Sequence, residues 1–293
     1  MDLGTGLTGP AGPDAVLRLV GLVSDVDGVA PVNEQTVLAV RHGAGDYRHH
    51  WLADDGQVLG YAAVAGDGSG ELCVHPEWRR RGLGRRLLAT VLGEAPDLAL
   101  WAHGDLPGAQ ALARSAELRR TRELWKMALE LELEAGTGPA VRGAGAGPAG
   151  VGLRTFVVGQ DEEAWVALNA AAFADHPEQG RMTVTDVQHR QAEAWFDPAL
   201  LWLAHEAGRP EHLLASMWVK PEGDEAEIYA LGVAPDAQGR GLGGWLTGVA
   251  LDEMVRRGYA RATLYVEGDN TPAIRTYRRA GFARVALDVQ YSR

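Results

Sequence analysis

The chain has 293 residues, a formal net charge of −11, 46% hydrophobic and 23% charged residues: a globular composition, long enough for two cores. Its acidic balance excludes the clustered basic surface that nucleic acid or an anionic membrane calls for. The single cysteine, Cys73, excludes an internal disulfide framework and fits a reducing cytoplasm, and without a run of 18 apolar residues no membrane span is expected.

In chain order, the opening "MDLGTGLTGPAGP" lacks a basic and an apolar region, so no signal peptide is expected and residues 1–13 read as a flexible tail. A first domain is expected over 14–134. It has a helix around Asp14 to Val23, strand-like "TVLAV" and "GYAAVA", the segment "ELCVHP", and a helix from about Gly82. Residues 135–150 are rich in glycine, alanine and proline without apolar periodicity and read as a linker. A second domain is expected over 151–293, with "GLRTFVV", a helix from Glu162 to Phe173, strands "LLWLAHE", "LLASMWVK" and "AEIYALGV", and a helix from about Gly241. The fold class is therefore α/β (α+β), each half a mixed, mostly antiparallel sheet flanked by helices.

The two halves repeat each other. "LCVHPEWRRRGLGRRLLATVL", Leu72 to Leu92, matches "LGVAPDAQGRGLGGWLTGVAL", Leu231 to Leu251, and "LWAHGDLPGAQALARSAEL", Leu100 to Leu118, matches "LYVEGDNTPAIRTYRRAGF", Leu264 to Phe282. Each copy runs strand, glycine turn, helix, strand, helix. The glycines sit where backbone N–H groups at a helix start can converge on a phosphate, with the helix dipole helping.

Taken literally, Gly239, Gly241 and Gly244 satisfy the dinucleotide pattern G-x-G-x-x-G, which would make the chain an oxidoreductase. The first copy, "RRRGLGRR", has only Gly82 and Gly84, and a dinucleotide loop would follow the first strand of a βαβ unit, not several antiparallel-looking ones. A different pattern, V-x-P followed by [QR]-x-x-G-x-[GA], is met by Val233, Pro235, Gln238, Gly241 and Gly243, and again by Val74, Pro76, Arg79, Gly82 and Gly84. With the later Asn270, Ala273, Tyr277, Gly281 and Phe282, it resembles the acyl-CoA pyrophosphate loop and final helix of the GNAT acetyltransferase superfamily. The stretches "DGVAPVNEQ", "HPEQGRMTVTDV", "WFDP" and "EIYALGV" with "LYVEGDN" narrow the resemblance to the mycothiol synthases. These tandem-domain enzymes N-acetylate the cysteinyl amine of cysteinyl-glucosaminyl-inositol.

This resemblance implies acetyl-CoA as cosubstrate, a small-molecule amine as partner, and a cytoplasmic monomer. Acetyl-CoA contacts carry over to Leu231, Gly232 and Val233, to Gln238, Gly239, Arg240, Gly241, Leu242, Gly243 and Gly244, and to Asn270, Thr271, Pro272, Ala273, Ile274 and Arg275. In the first half they carry over to Leu72, Cys73 and Val74 and to Arg80, Arg81, Gly82, Leu83, Gly84 and Arg85. Glu227 is the candidate base; strand alternation puts 227, 229 and 231 on one face. Tyr265 is the candidate acid, with Tyr277 the alternative. Glu34, Glu178 and Lys220, otherwise readable as solvated charges, match positions that hold the sugar and inositol hydroxyls.

No metal is expected: "H-E-x-x-H" is absent, and "HEAGRPEH" has the wrong spacing for two ligands on one helical face. At the repeat offsets Glu227 corresponds to Gly68, Tyr265 to Trp101 and Tyr277 to Ala113, so the first half is expected to bind acetyl-CoA or CoA without transferring an acyl group. Acetylation of another amine and acyl-CoA sensing are the remaining alternatives.

Overall fold

A computed structural model describes residues 1–43, 45–131, 147–174 and 179–293. Most of the expected linker, 135–146, lies outside the described residues. Two compact units emerge: Met1–Leu124 together with Ala286–Arg293, and Trp125–Val285. The last eight residues, expected in the second domain, thus belong to the first unit.

The chain-order elements are β1 (Asp2–Thr5), α1 (Pro13–Asp27), α2 (Glu34–His42), β2 (Tyr47–Asp54), β3 (Gln57–Ala65), β4 (Ser69–Val74), α3 (Leu83–Glu94), β5 (Ala99–Ala102), α4 (Pro107–Ser115) and β6 (Arg119–Glu130). After them come β7 (Val151–Thr155), α5 (Glu162–Ala172), α6 (Val184–Gln191), β8 (Leu201–Glu206), β9 (Arg209–Glu222), β10 (Glu225–Val233), α7 (Leu242–Arg257), β11 (Arg261–Glu267), α8 (Thr271–Arg279) and β12 (Ala283–Ser292).

In the first unit the strand order is β1-β2-β3-β4-β5-β12. Strands β1 to β4 are antiparallel neighbours, and β4 and β5 are parallel. Helices cover both faces, which is why β3 reads as a continuous apolar run: Tyr61 and Ala63 pack with Val16, Leu19 and Val23 of α1, whereas Ala62 and Val64 pack with Leu87 and Val91 of α3. In the second unit the order is β6-β11-β10-β9-β8-β7, again with one parallel pair, β10 with β11, amid antiparallel neighbours. Trp165 of α5 and Leu246, Leu251 and Met254 of α7 close its core against Met217 and Trp218 of β9.

Two local expectations change. "TVLAV" is not a strand but the middle of α2. Asn33 caps that helix, its side-chain oxygen accepting the Thr36 N–H at 2.8 Å, and Gly43 ends it in the left-handed conformation at φ 64°. A short β-branched run carries no periodicity of its own, so the caps decide. The opening residues are not a tail either: β1 pairs with β2 from Asp2↔Ala53 to Thr5↔His50, and Ala11 is fully buried. The absence of a side chain at Gly4 leaves room for the Trp51 indole, whose N–H donates to the Gly6 carbonyl at 3.1 Å. Among the described residues no helix is long and apolar enough to cross a membrane, and none of their His, Cys, Asp and Glu side chains group to hold a metal ion.

Candidate active site

The parallel pair at the centre of each unit is short. β10 and β11 pair only from Glu225↔Arg261 to Ile228↔Leu264, yet both strands continue, to Val233 and Glu267. They part after Ile228. At that point β10 also changes register against β9, from Ile228↔Val219 to Ala230↔Trp218, which makes Tyr229 the extra residue of a β-bulge. A bulge turns the strand and shifts its side-chain phase, so the expected single face for 227, 229 and 231 is not kept. Leu231 lies toward Gly243 of α7, where a Cβ would stand 3.8 Å from its side chain. Gly232 instead backs onto α5, where a Cβ would meet that of Ala172 at 3.2 Å and the Phe173 ring at 3.5 Å. Consecutive strand residues point to opposite faces, so α5 and α7 flank opposite sides of the sheet.

Three proposed site residues gather beside the parting strands. Glu227 is half-buried on β10 and lies opposite Lys220 of β9 and Thr263 of β11. Paired residues share a face, and Tyr265 follows Thr263 by two, so Glu227, Lys220 and Tyr265 all stand on the same side of the sheet. Tyr265 is 41% exposed, with the Lys126 ammonium 5.6 Å from its ring centre. Tyr277 is different: it is 7% exposed within the core on α8, edge-on to Phe282, and burial pushes its hydroxyl pKa well up. Glu34 belongs to the first unit, in the first turn of α2. Glu178 lies outside the described residues.

Three aromatic residues beside this group were not among the site residues expected from the sequence. Trp195, Tyr229 and Trp218 pack ring to ring at 5.1 to 5.7 Å. Lys220 places its ammonium 5.3 Å from the Trp195 ring and 5.8 Å from that of Tyr229. Buried Arg190 of α6 donates from Nε to the Tyr229 hydroxyl oxygen at 2.6 Å. "WFDP" marked the neighbourhood of Trp195, but the pairing of Arg190 with Tyr229 spans 39 residues and is visible only in the fold.

The glycine turn of the second unit is built as the repeat pattern implies. Gly239 and Gly241 take φ of 76° and 79°, conformations that exclude most side chains, and α7 begins at Leu242 with no side-chain cap. Its first N–H groups therefore suit an anion. Gln238, Gly239, Arg240 and Gly244 are exposed around it. Asn270 caps α8, its side-chain oxygen accepting the Ala273 N–H at 3.2 Å; Ile274 is buried, and Thr271, Pro272 and Arg275 are exposed.

The first unit keeps the turn but surrounds it with different side chains. Gly82 has φ 86° before an uncapped α3, and Arg80 also takes a positive φ, 61°. Arg79 is committed to Asp27 through two bonds of 2.7 and 2.8 Å, and the Arg81 guanidinium lies over Trp78 at 4.7 Å. Cys73 is buried, its thiol pushed up to about 12 by that burial, so it is a packing residue and not a nucleophile. Strands β4 and β5 also part, after Gly70↔Leu100, but here a charged trio spans the opening. His103, just beyond β5, bonds Glu71 of β4 at 2.7 Å and Asp288 of β12 at 2.9 Å. Burial alone would lower the imidazole, but the hydrogen bonds and charges of Asp288 and Glu71 outweigh it and hold His103 at about 10. The Asn33 and Gly104 amides donate to Glu71 and Asp288 at 2.8 and 2.7 Å. At the repeat offsets Glu71 and His103 answer to Ala230 and Glu267, so nothing in the second unit repeats the trio.

Comparison with known proteins agrees with this geometry. Residues 165–282 match the acetyltransferase (GNAT) family and residues 46–119 an acetyltransferase (GNAT) domain. A mycothiol acetyltransferase of Beutenbergia cavernae is 49% identical over 97% of both chains, and that of Clavibacter sepedonicus 48% identical over 96% of this chain and 93% of its own. Among solved structures, a tandem GNAT protein from the clavulanic acid biosynthesis pathway has the same fold, with a TM-score of 0.73 at 19% identity over 100% of this chain and 98% of its own. An N-acetyltransferase from Sphaerobacter thermophilus superposes with a TM-score of 0.66 at 26% identity, covering 99% and 95% of the two chains. With two GNAT domains, a parted parallel pair over a glycine turn in each, and such identity along almost its whole length, the chain belongs to the mycothiol acetyltransferase family of acyltransferases.

Proposed function

We propose that the chain transfers the acetyl group of acetyl-CoA to the cysteinyl amine of cysteinyl-glucosaminyl-inositol, giving mycothiol and CoA, as a cytoplasmic monomer. The observation that carries this reading is the placement of Glu227, Lys220 and Tyr265 on one face, where β10 and β11 part above the glycine turn. The exposed backbone cradle and the uncapped start of α7 suit a pyrophosphate, so the residues present fit acetyl-CoA.

Glu227 takes a proton from the attacking amine, directly or through a water; an α-amine titrates near roughly 7.7 to 8.0, so modest base assistance suffices. A backbone N–H of Leu231 to Val233 stabilises the oxyanion. Tyr265 donates a proton to the departing thiolate, leaving CoA as the thiol. Lys220, with Glu34 and Glu178, binds the polyol hydroxyls. The first unit, with Gly68, Trp101 and Ala113 at the corresponding positions and its strand opening bridged by His103, binds acetyl-CoA or CoA without turnover.

The test is thiol release from acetyl-CoA with cysteinyl-glucosaminyl-inositol, glucosaminyl-inositol and tobramycin in parallel. Release only with the first is expected; equal or faster release with tobramycin would replace the acceptor. Glu227→Gln should lower kcat about 100-fold with acetyl-CoA binding kept, and an unchanged kcat would remove Glu227 as the base.

A further inference from the structure

Arg190 is 6% exposed, a costly place for a guanidinium unless it does something there. Its Nη1 donates to the Asp186 carbonyl at 2.9 Å, and Asp186 is itself fixed in the capping box that Thr183 forms at the start of α6. Its Nε donates to the Tyr229 hydroxyl oxygen at 2.6 Å. The guanidinium therefore ties a rigid helix start to one phenol.

Tyr229 is also the bulged residue of β10, the point at which the strand is re-aimed. Its ring and that of Trp195 hold the Lys220 ammonium at 5.8 and 5.3 Å. Lys220 is one of two lysines, with Lys126, in a chain whose other basic residues are all arginine. A lysine ammonium is a compact charge on a flexible four-carbon stem, and unlike arginine it has no planar fork to orient it. What directs it must therefore lie around it, and two ring faces do, one of them pinned by Arg190.

We propose that Arg190 and Tyr229 are positioning residues for the acceptor: their hydrogen bond sets the ring against which Lys220 presents its ammonium to the acceptor's hydroxyls. This rests on the assignment of Lys220 as an acceptor contact. Arg190 and Tyr229 then act on acceptor affinity through Lys220, and not on the acetyl-CoA side of the site.

Steady-state kinetics of the full chain with cysteinyl-glucosaminyl-inositol and acetyl-CoA test this in a double-mutant cycle. Tyr229→Phe keeps the ring and removes only the oxygen that Arg190 holds. It should raise the acceptor KM about tenfold, leave kcat and the acetyl-CoA KM within about twofold, and have no further effect in a Lys220→Met background. Arg190→Lys, which keeps one donor, should recover part of the KM lost in Arg190→Gln. A Tyr229→Phe effect of the same size in both backgrounds, or one that falls equally on the acetyl-CoA KM, would show plain packing and overturn the proposal. If Lys220→Met raises the acceptor KM but Tyr229→Phe does not, this inference alone fails. If Lys220→Met leaves the acceptor KM unchanged, the assignment of Lys220 fails, and this inference with it.

Discussion

At the scale of single residues, the two candidate acids separate by environment. Tyr265 is 41% exposed on the face that carries Glu227, with a lysine ammonium 5.6 Å from its ring centre, so its hydroxyl is open to a bound substrate. Tyr277 is buried among apolar groups, which disfavours its phenolate and pushes its pKa up. Tyr265→Phe is expected to lower kcat about 100-fold and to abolish the alkaline limb of its pH profile. Tyr277→Phe should leave kcat within about threefold and show its effect in thermal stability. The reverse pattern would make Tyr277 the acid. The sequence pointed to both tyrosines because motif spacing says which residue follows which, whereas exposure depends on what α8 packs against.

At the scale of elements, the glycine turn and the parted strands are one device. Gly241 takes φ 79° as the residue before α7, a conformation that costs a side chain about 1 to 2 kcal/mol. Gly241→Val should therefore raise the acetyl-CoA KM about tenfold or more while leaving the acceptor KM near its original value, as initial-rate kinetics with each substrate varied would show. The repeat in the sequence located this turn in both halves to the residue, because a positive φ is a local demand that glycine meets. It did not locate the bulge at Tyr229. A bulge is a mismatch between two strands, and β10 by itself still alternates half-buried with buried residues from Glu225 to Val233. For the same reason Leu231 was expected on the face of Glu227 and stands toward α7 instead.

At the scale of the whole molecule, the two units have diverged around one plan. The first spans its strand opening with His103 between Glu71 and Asp288, and so ties residues 71, 103 and 288 into one charged cluster. His103 has a folded pKa of about 10 against an ordinary value of 6.5, so its stabilisation is full below about pH 6.5 and is lost as pH rises through about 10. His103→Gln should cost about 3 kcal/mol at pH 7 by leaving buried carboxylates unpaired, and the gap to the parent chain should narrow above pH 10. Urea unfolding at both pH values measures it; a gap independent of pH would mean that the imidazole is not charged in the folded chain.

The sequence by itself determined the tandem organisation, the strand–turn–helix repeats and the family. These follow from local conformational demands and from a pattern written twice in one chain. Only the tertiary structure decided that residues 286–293 belong to the first unit, that "TVLAV" is helical, that Tyr277 is buried, and that Arg190 reaches Tyr229. Each of those depends on which distant segment packs alongside: 39 residues separate Arg190 from Tyr229 and 185 separate His103 from Asp288, and no local pattern encodes a partner so far along the chain.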